Sequence, residues 1–115
     1  MAGGAPDRLP NAEHAVVEPR RVRDYLLNRA HPSGGSKSKF VMAYGFAATD
    51  WHLLRTSLIQ HGRTNSIMRR VETAWGIRYT VACSCRTPDG RDPCIRTVWQ
   101  MESDLPRLLT VLPGR

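Results

Sequence analysis

The second half of the chain alternates. From Ile77 onward Tyr79, Val81, Cys83 and Cys85 fall on one side of an extended chain and Thr80, Ala82 and Ser84 on the other, the period of two that marks a strand. Arg86-Thr87-Pro88-Asp89-Gly90-Arg91 follows, with Pro and Asp-Gly placed for a hairpin connection. A second strand over Cys94 to Met101 sets Ile95, Thr97 and Trp99 against Arg96, Val98 and Gln100, and Ser103-Asp104 turns the chain into a third strand over Arg107 to Leu112. The first half has a different rhythm. Pro19 opens a helix to about Asn28 in which Val22, Tyr25, Leu26 and Arg29 recur at i, i+3, i+4 and i+7, with Arg20, Arg21 and Arg23 on its outer side. Lys37 begins a second helix, whose Lys37, Val41 and Tyr44 share a face and which Gly45 ends. Thr49 or Asp50 caps a third, lined by Trp51, Leu54 and Leu58 and stopped at His61-Gly62. Arg63 to Thr73 shows no clean period, and Ala15-Val16-Val17 reads as a short added strand.

Helices followed by a meander predict an α+β fold, with N-terminal helices packed on one face of a small antiparallel β-meander. The other face must then meet water or a ligand. Residues 1 to about 8 are rich in Gly and Pro and read as a disordered N-terminus, leaving residues 9–115 as a single domain.

Charge narrows the partners. The chain has 115 residues and a formal charge of +7, which points to a polyanion, with nucleic acid ahead of a membrane surface because no basic amphipathic helix carries a large aromatic face. No apolar run approaches the length needed to span a bilayer, and the N-terminus lacks the apolar core of a signal peptide, so the expected location is the cytoplasm. Cys83, Cys85 and Cys94, with no histidine close in sequence, do not match a zinc spacing and read as buried free thiols. No cofactor or metal is expected: phosphate-loop, nucleophile-elbow, zincin and dinucleotide motifs are absent, and the ten acidic residues are scattered.

The most distinctive stretch is His31-Pro32-Ser33-Gly34-Gly35-Ser36-Lys37-Ser38-Lys39-Phe40. Fifteen arginines supply most of the positive charge, and the only two lysines, Lys37 and Lys39, both lie here, after a Gly pair and at the start of a helix. Lysine is a compact cation whose pKa shifts readily, and its place in the first turn opposes the helix dipole unless an anion visits. RNA cleavage without a metal needs a base near the 2′-hydroxyl, a cation for the phosphorane and an acid for the leaving 5′-oxygen. His31 and Lys37 are candidates for the first two. Arg96 or Arg107 and Thr97 or Thr110 can contribute from the sheet, Trp99 can stack on a base, and Lys39 can hold a phosphate.

A set of short motifs adds a resemblance. L-P-N-A-E-x-A-V-V, R-D-Y-L-L-N, H-P-x-G-x-x-K-x-x-F, G-F-x-x-x-D-W-x-x-L, P-D-G-R, T-V-W and P-R-L-L-T-V-L-P-G, spread over residues 9 to 114, together resemble a bacterial family of small standalone proteins often encoded beside another small protein, as toxin–antitoxin pairs are. That family in turn is similar, in its order of elements, to the barnase–EndoU–colicin–RelE group of metal-independent ribonuclease toxins. Thr97-Val98-Trp99 resembles the Ser-x-Trp strand of colicin D, a transfer-RNA nuclease of the group, and His31 with Lys37 resembles its basic pair. The resemblance implies a ribonuclease acting on RNA such as transfer RNA, with a small cognate antitoxin protein as partner. Two other readings fit the same composition: a basic module that binds nucleic acid without cleaving it, and an antitoxin- or immunity-like protein whose charge complements an acidic neighbour.

Overall fold

The computed structural model describes residues 7–28, 30 and 35–114. A 3-10 turn at Ala12–His14 leads to a π-helix at Arg21–Leu26, then to α1 (Gly35–Met42), a 3-10 turn at Ala48–Asp50 and α2 (Trp51–Thr64). Four strands follow, β1 (Ser66–Thr73), β2 (Gly76–Ser84), β3 (Cys94–Glu102) and β4 (Leu105–Pro113), paired antiparallel in the order β1-β2-β3-β4. The fold is α+β, as the two rhythms of the sequence predict.

The sheet's alternation decides which side is covered. Tyr79, Val81, Ile95, Trp99, Leu108 and Val111 are buried with Val22, Leu26, Val41, Leu54 and Leu58 from the helices, so one face of the sheet and the helical layer share a single core. Register fixes the partners across that face: Tyr79 lies opposite Trp99, and Trp99 opposite Leu108. The other face carries Thr80, Ala82, Arg96, Val98, Thr110 and Leu112, none of which belongs to the core.

The sequence suggests three strands for the meander, and the meander has four. β1 escapes a search for alternation because it is an edge strand whose residues Met68 to Glu72 are all exposed, so neither face demands apolar residues. α2 also runs past the expected stop, continuing through His61 and Gly62 to Thr64. Gly62 is there for contact: a Cβ on it would sit 2.7 Å from Cζ2 of the Trp99 ring. The expected first helix is helical from Pro19 but widens into π geometry, with Leu27 N–H donating to the Val22 carbonyl at 2.9 Å. Val16 adds a single parallel bridge to the outer edge of β4, where Val16 N–H donates to Pro106 O at 2.8 Å and Leu108 N–H to Val16 O at 2.9 Å. Asp7 and Arg8 are tied down as well, Asp7 O accepting from Ile67 N–H at 2.7 Å and Arg8 donating to Thr64 O.

The long β2–β3 connection anchors α1. Asp89 accepts from Arg91 N–H and from its guanidinium, Asp89 N–H donates to Tyr44 O at 3.2 Å, and the Arg91 guanidinium lies 4.4 Å from the centre of the Tyr44 ring. Cys83, Cys85 and Cys94 form no disulfide with one another; Cys83 and Cys94 are half-buried rather than buried, whereas Cys85 is buried, and burial with Asp92 nearby pushes its thiol up to about 12, so it stays protonated and inert.

Replacing Gly62 by Ala improves intrinsic helix propensity by about 1 kcal/mol but forces a methyl into the indole, and overpacking of this kind costs about 1–3 kcal/mol. The expected outcome is a net loss of stability in urea denaturation, opposite in sign to the usual effect of Gly to Ala inside a helix.

Candidate nucleic-acid interface

β4 is the second edge of the sheet, and on its open side it presents a line of donors. Arg107 lies opposite Gln100, Thr110 opposite Val98, and Leu112 opposite Arg96, so these three steps climb the same face of the β3–β4 pair. The helical layer reaches round the edge to meet them. Tyr25 of the π-helix places its hydroxyl 3.2 Å from Thr110 Oγ1, and Lys37 of α1 donates from Nζ to Val111 O at 3.3 Å. Arg96 Nε donates to Pro113 O at 2.9 Å. From Gln100 to Arg96 is four residues of β3, about 13 Å at the usual strand rise. The donors therefore form a track of the right length for successive phosphates, with the Tyr25–Thr110 hydroxyl pair between the two arginines.

At the Arg107 end the track opens into a groove of about 520 Å³ between the π-helix and β4, lined by Glu18, Arg20, Arg21, Asp24, Tyr25, Arg107 and Leu108. Arg107 pairs with Glu18 and, at 3.0 Å, with Glu102. With Arg107 35% exposed and its partners more so, such pairs contribute only about 0–1 kcal/mol, so they orient the guanidinium more than they stabilise the fold. Arg21 lies 4.9 Å over the Tyr25 ring. Neither Glu18 nor Tyr25 stands out in the sequence as a site residue: Tyr25 reads as part of the helix's apolar stripe, and Glu18 is marked only by the Pro19 helix start that follows it.

Of the residues singled out from the sequence, Lys37, Arg96, Arg107 and Thr110 lie in a row along the β3–β4 pair, each with its own partner and the two arginine positions about 13 Å apart. His31 lies outside the described residues. Lys39 is exposed and sits about 200° round α1 from Lys37, away from the β4 contact. Thr97 and Trp99 do not join the track. Both are fully buried on the helix-covered face, where a base or phosphate has no access, and both serve a different end.

That end is a closed chain of hydrogen bonds running into His61. Trp99 Nε1–H donates to Thr97 Oγ1 at 2.8 Å, and Thr97 Oγ1 is 2.9 Å from His61 Nδ1. His61 Nε2 faces two carbonyls, Cys83 O at 2.9 Å and Ile95 O at 3.2 Å, so it must carry the proton. Nδ1 then accepts, and the Thr97 hydroxyl donates to it while accepting from the indole. Every donor has an acceptor only if His61 is neutral. The sequence offers His61 as a surface or interhelical residue without a role; the structure makes it the polar centre of the core.

Among the described residues no group of three or more His, Cys, Asp or Glu side chains is gathered as a metal site requires, and no helix is long and apolar enough to cross a membrane. Residues 8–115 match the family defined as a domain of unknown function, DUF6883. The chain belongs to that family. No curated protein matches this DUF6883 chain. Among solved structures it is similar to a chain of a contact-dependent growth inhibition toxin–immunity protein complex from Klebsiella pneumoniae 342, with a TM-score of 0.70 at 18% identity over 86% of this chain and 99% of that one. At that identity the likeness is one of fold.

Burial lowers the His61 pKa below its ordinary value of 6.5, against weaker support for the cation from the Cys83 and Ile95 carbonyls. The unfolded chain therefore binds a proton that the folded chain does not, and stability falls as pH drops below about 6.5, approaching about 1.4 kcal/mol per pH unit for one proton. Chemical denaturation between pH 7.5 and 5 checks this. His61→Gln is expected to be less stable at neutral pH and to lose that part of the slope.

Proposed function

We propose that this DUF6883 protein is the toxin-type member of a toxin–immunity pair and that it cleaves RNA along the β4 track. The observation that carries the reading is the convergence of Lys37, the Tyr25–Thr110 hydroxyls and Arg107 on one strand edge beside an open groove. Support comes from the charge of +7 and from the fold shared with a chain of a toxin–immunity complex.

The chemistry is an in-line transesterification. The ribose 2′-oxygen loses its proton to a base and attacks phosphorus, and the bond to the 5′-oxygen breaks as that oxygen gains a proton, leaving a 2′,3′-cyclic phosphate and a 5′-hydroxyl. Arg107 and Lys37 are cations for the negative charge that grows on the non-bridging oxygens, and the Tyr25–Thr110 pair supplies hydroxyl donors between them. Arg96 holds the neighbouring phosphate. His31 is the proton carrier the sequence nominates, and the Glu18 carboxylate in the groove is a second group able to take the 2′-hydroxyl proton. Thr97 and Trp99 act here only by holding the sheet beneath the track.

Purified protein incubated with transfer RNA and with single-stranded RNA, in EDTA, is expected to give fragments ending in 2′,3′-cyclic phosphate. Lys37→Ala, Arg107→Ala and His31→Ala should each lower the cleavage rate about 10²–10³-fold with folding retained by circular dichroism, the scale of removing one transition-state donor or proton carrier. Intact RNA with wild-type protein would reject cleavage. Steeply salt-dependent binding without products would then favour a non-catalytic RNA-binding module, and salt-insensitive failure to bind RNA an immunity-like role.

A further inference from the structure

The edge of the sheet opposite the track is unlike the rest of the surface. Large apolar side chains that are well exposed number five among the described residues, and three of them, Met68 at 58%, Val71 at 36% and Trp75 at 79%, lie in β1 and the turn that joins it to β2. Trp75 is at the tip of that turn, where Thr73 Oγ1 caps the backbone by donating to Gly76 O at 2.7 Å and accepting from Trp75 N–H at 3.1 Å, which keeps the indole displayed. Among the described residues the outer edge of β1 receives a backbone partner only at its start, where Ile67 N–H donates to Asp7 O. From Met68 to Thr73 no other described segment pairs with it.

An exposed strand edge is usually protected by short length, proline, charge, a bulge or a cover, and β1 has a bulge between Ile67 and Arg69. This edge has eight residues and no proline. What it has is arginine. Arg69 and Arg78 stand on the open face beside Val71, and Arg70 stands on the other face with Glu72 as its partner at 3.7 Å. Glu72 is the one carboxylate of β1 and it offsets Arg70, so the other face is neutral and the open face, with Arg69 and Arg78, is net positive. A second copy of this chain, itself at +7, would meet like charge there.

We propose that the outer edge of β1, with Trp75 at its tip, docks an acidic protein segment in extended form. The segment adds a fifth strand to the sheet, its backbone taking up the free edge, its carboxylates meeting Arg69 and Arg78 on the open face, and an apolar surface closing on Trp75 and Val71. A protein fits better than an RNA because an unpaired strand edge and flanking Met68 and Val71 side chains are satisfied by backbone and apolar groups, while phosphates need neither. The partner so described is the acidic neutraliser that the toxin-type reading expects, and to that extent the proposal rests on it. The surface itself does not depend on cleavage. β1 and β4 are separated by three strand spacings, about 14 Å, so a segment on β1 leaves the groove beside the π-helix uncovered.

The test uses the full chain and a probe of defined chemistry, an eight-residue peptide alternating glutamate and valine, with the corresponding lysine–valine peptide as control. Amide resonances are followed by NMR during titration, together with hydrogen exchange. The expected result is shifts and slowed exchange confined to Met68 through Gly76 with the acidic peptide alone, and binding about tenfold weaker in Trp75→Ala and in Met68→Lys, both at exposed positions that the fold tolerates. Equal binding of both peptides, shifts centred on Tyr25 and Arg107, no binding at all, or an oligouridylate that occupies β1 in place of the peptide would each overturn it. RNA cleavage is assayed on the same two variants and is expected to be unchanged. Should wild-type protein fail to cleave RNA while the acidic peptide still docks on β1, the function above falls and this surface stands.

Discussion

Everything in this molecule is arranged around the burial of one indole. Trp99 has no exposure, lies between Tyr79 and Leu108 across the sheet, and is covered by a helix turn that can come close only because residue 62 has no side chain. Its one polar atom is satisfied by Thr97, which is satisfied in turn by His61. Burying a tryptophan removes about 150–250 Å² from water, and truncating one in a core costs about 3–5 kcal/mol, a large share of what holds a domain of this size together. The choice of face follows. Once Trp99 and Thr97 point at α2, alternation sends Arg96, Val98 and Gln100 to the other side, and the register carries Arg107, Thr110 and Leu112 with them.

The surface proposed to meet RNA is thus a by-product of core geometry. A sheet covered on one face exposes the other, and because β4 is an edge strand, side chains from the helical layer reach round it. Tyr25 and Lys37 do so from two different helices and end on consecutive residues, Thr110 and Val111. The π-helix has a part in this. Its wider turn buries Val22, Leu26 and Leu27 while Tyr25 stays at the rim, half-exposed and within reach of the strand. The two edges of the sheet then differ in kind: β4 is bordered by helices and lined with donors to phosphate, and β1 is bare, apolar and basic.

The strands over 76–84 and 94–102 were legible because half-buried antiparallel strands must alternate, and theirs do; β4, whose alternation slips at a bulge between Leu108 and Thr110, was marked by the Ser103-Asp104 turn before it. β1 was not, since a strand exposed on both faces is free of that constraint and its Met68-Arg69-Arg70 run reads like a loop. Lys37, Arg96, Arg107 and Thr110 stood out as residue types and lie spread along the β3–β4 edge. Thr97 and Trp99 stood out too, yet residue type cannot tell a stacking tryptophan from a core one; the decision lay in which face α2 covers, a long-range fact. His61 passed unnoticed because a histidine at the end of a helix carries no local sign that a threonine 36 positions away will meet it.

On the proposed function, nucleic acid meets this protein along β4 and the groove beside it. A titration of isotope-labelled protein with a short 2′-O-methyl oligonucleotide, whose blocked 2′-oxygen prevents cleavage, tests that most directly by NMR. The account predicts shifts concentrated at Tyr25, Lys37, Arg107 and Thr110, weakening as salt is raised. Shifts absent from these four residues at an oligonucleotide concentration that saturates binding would contradict it.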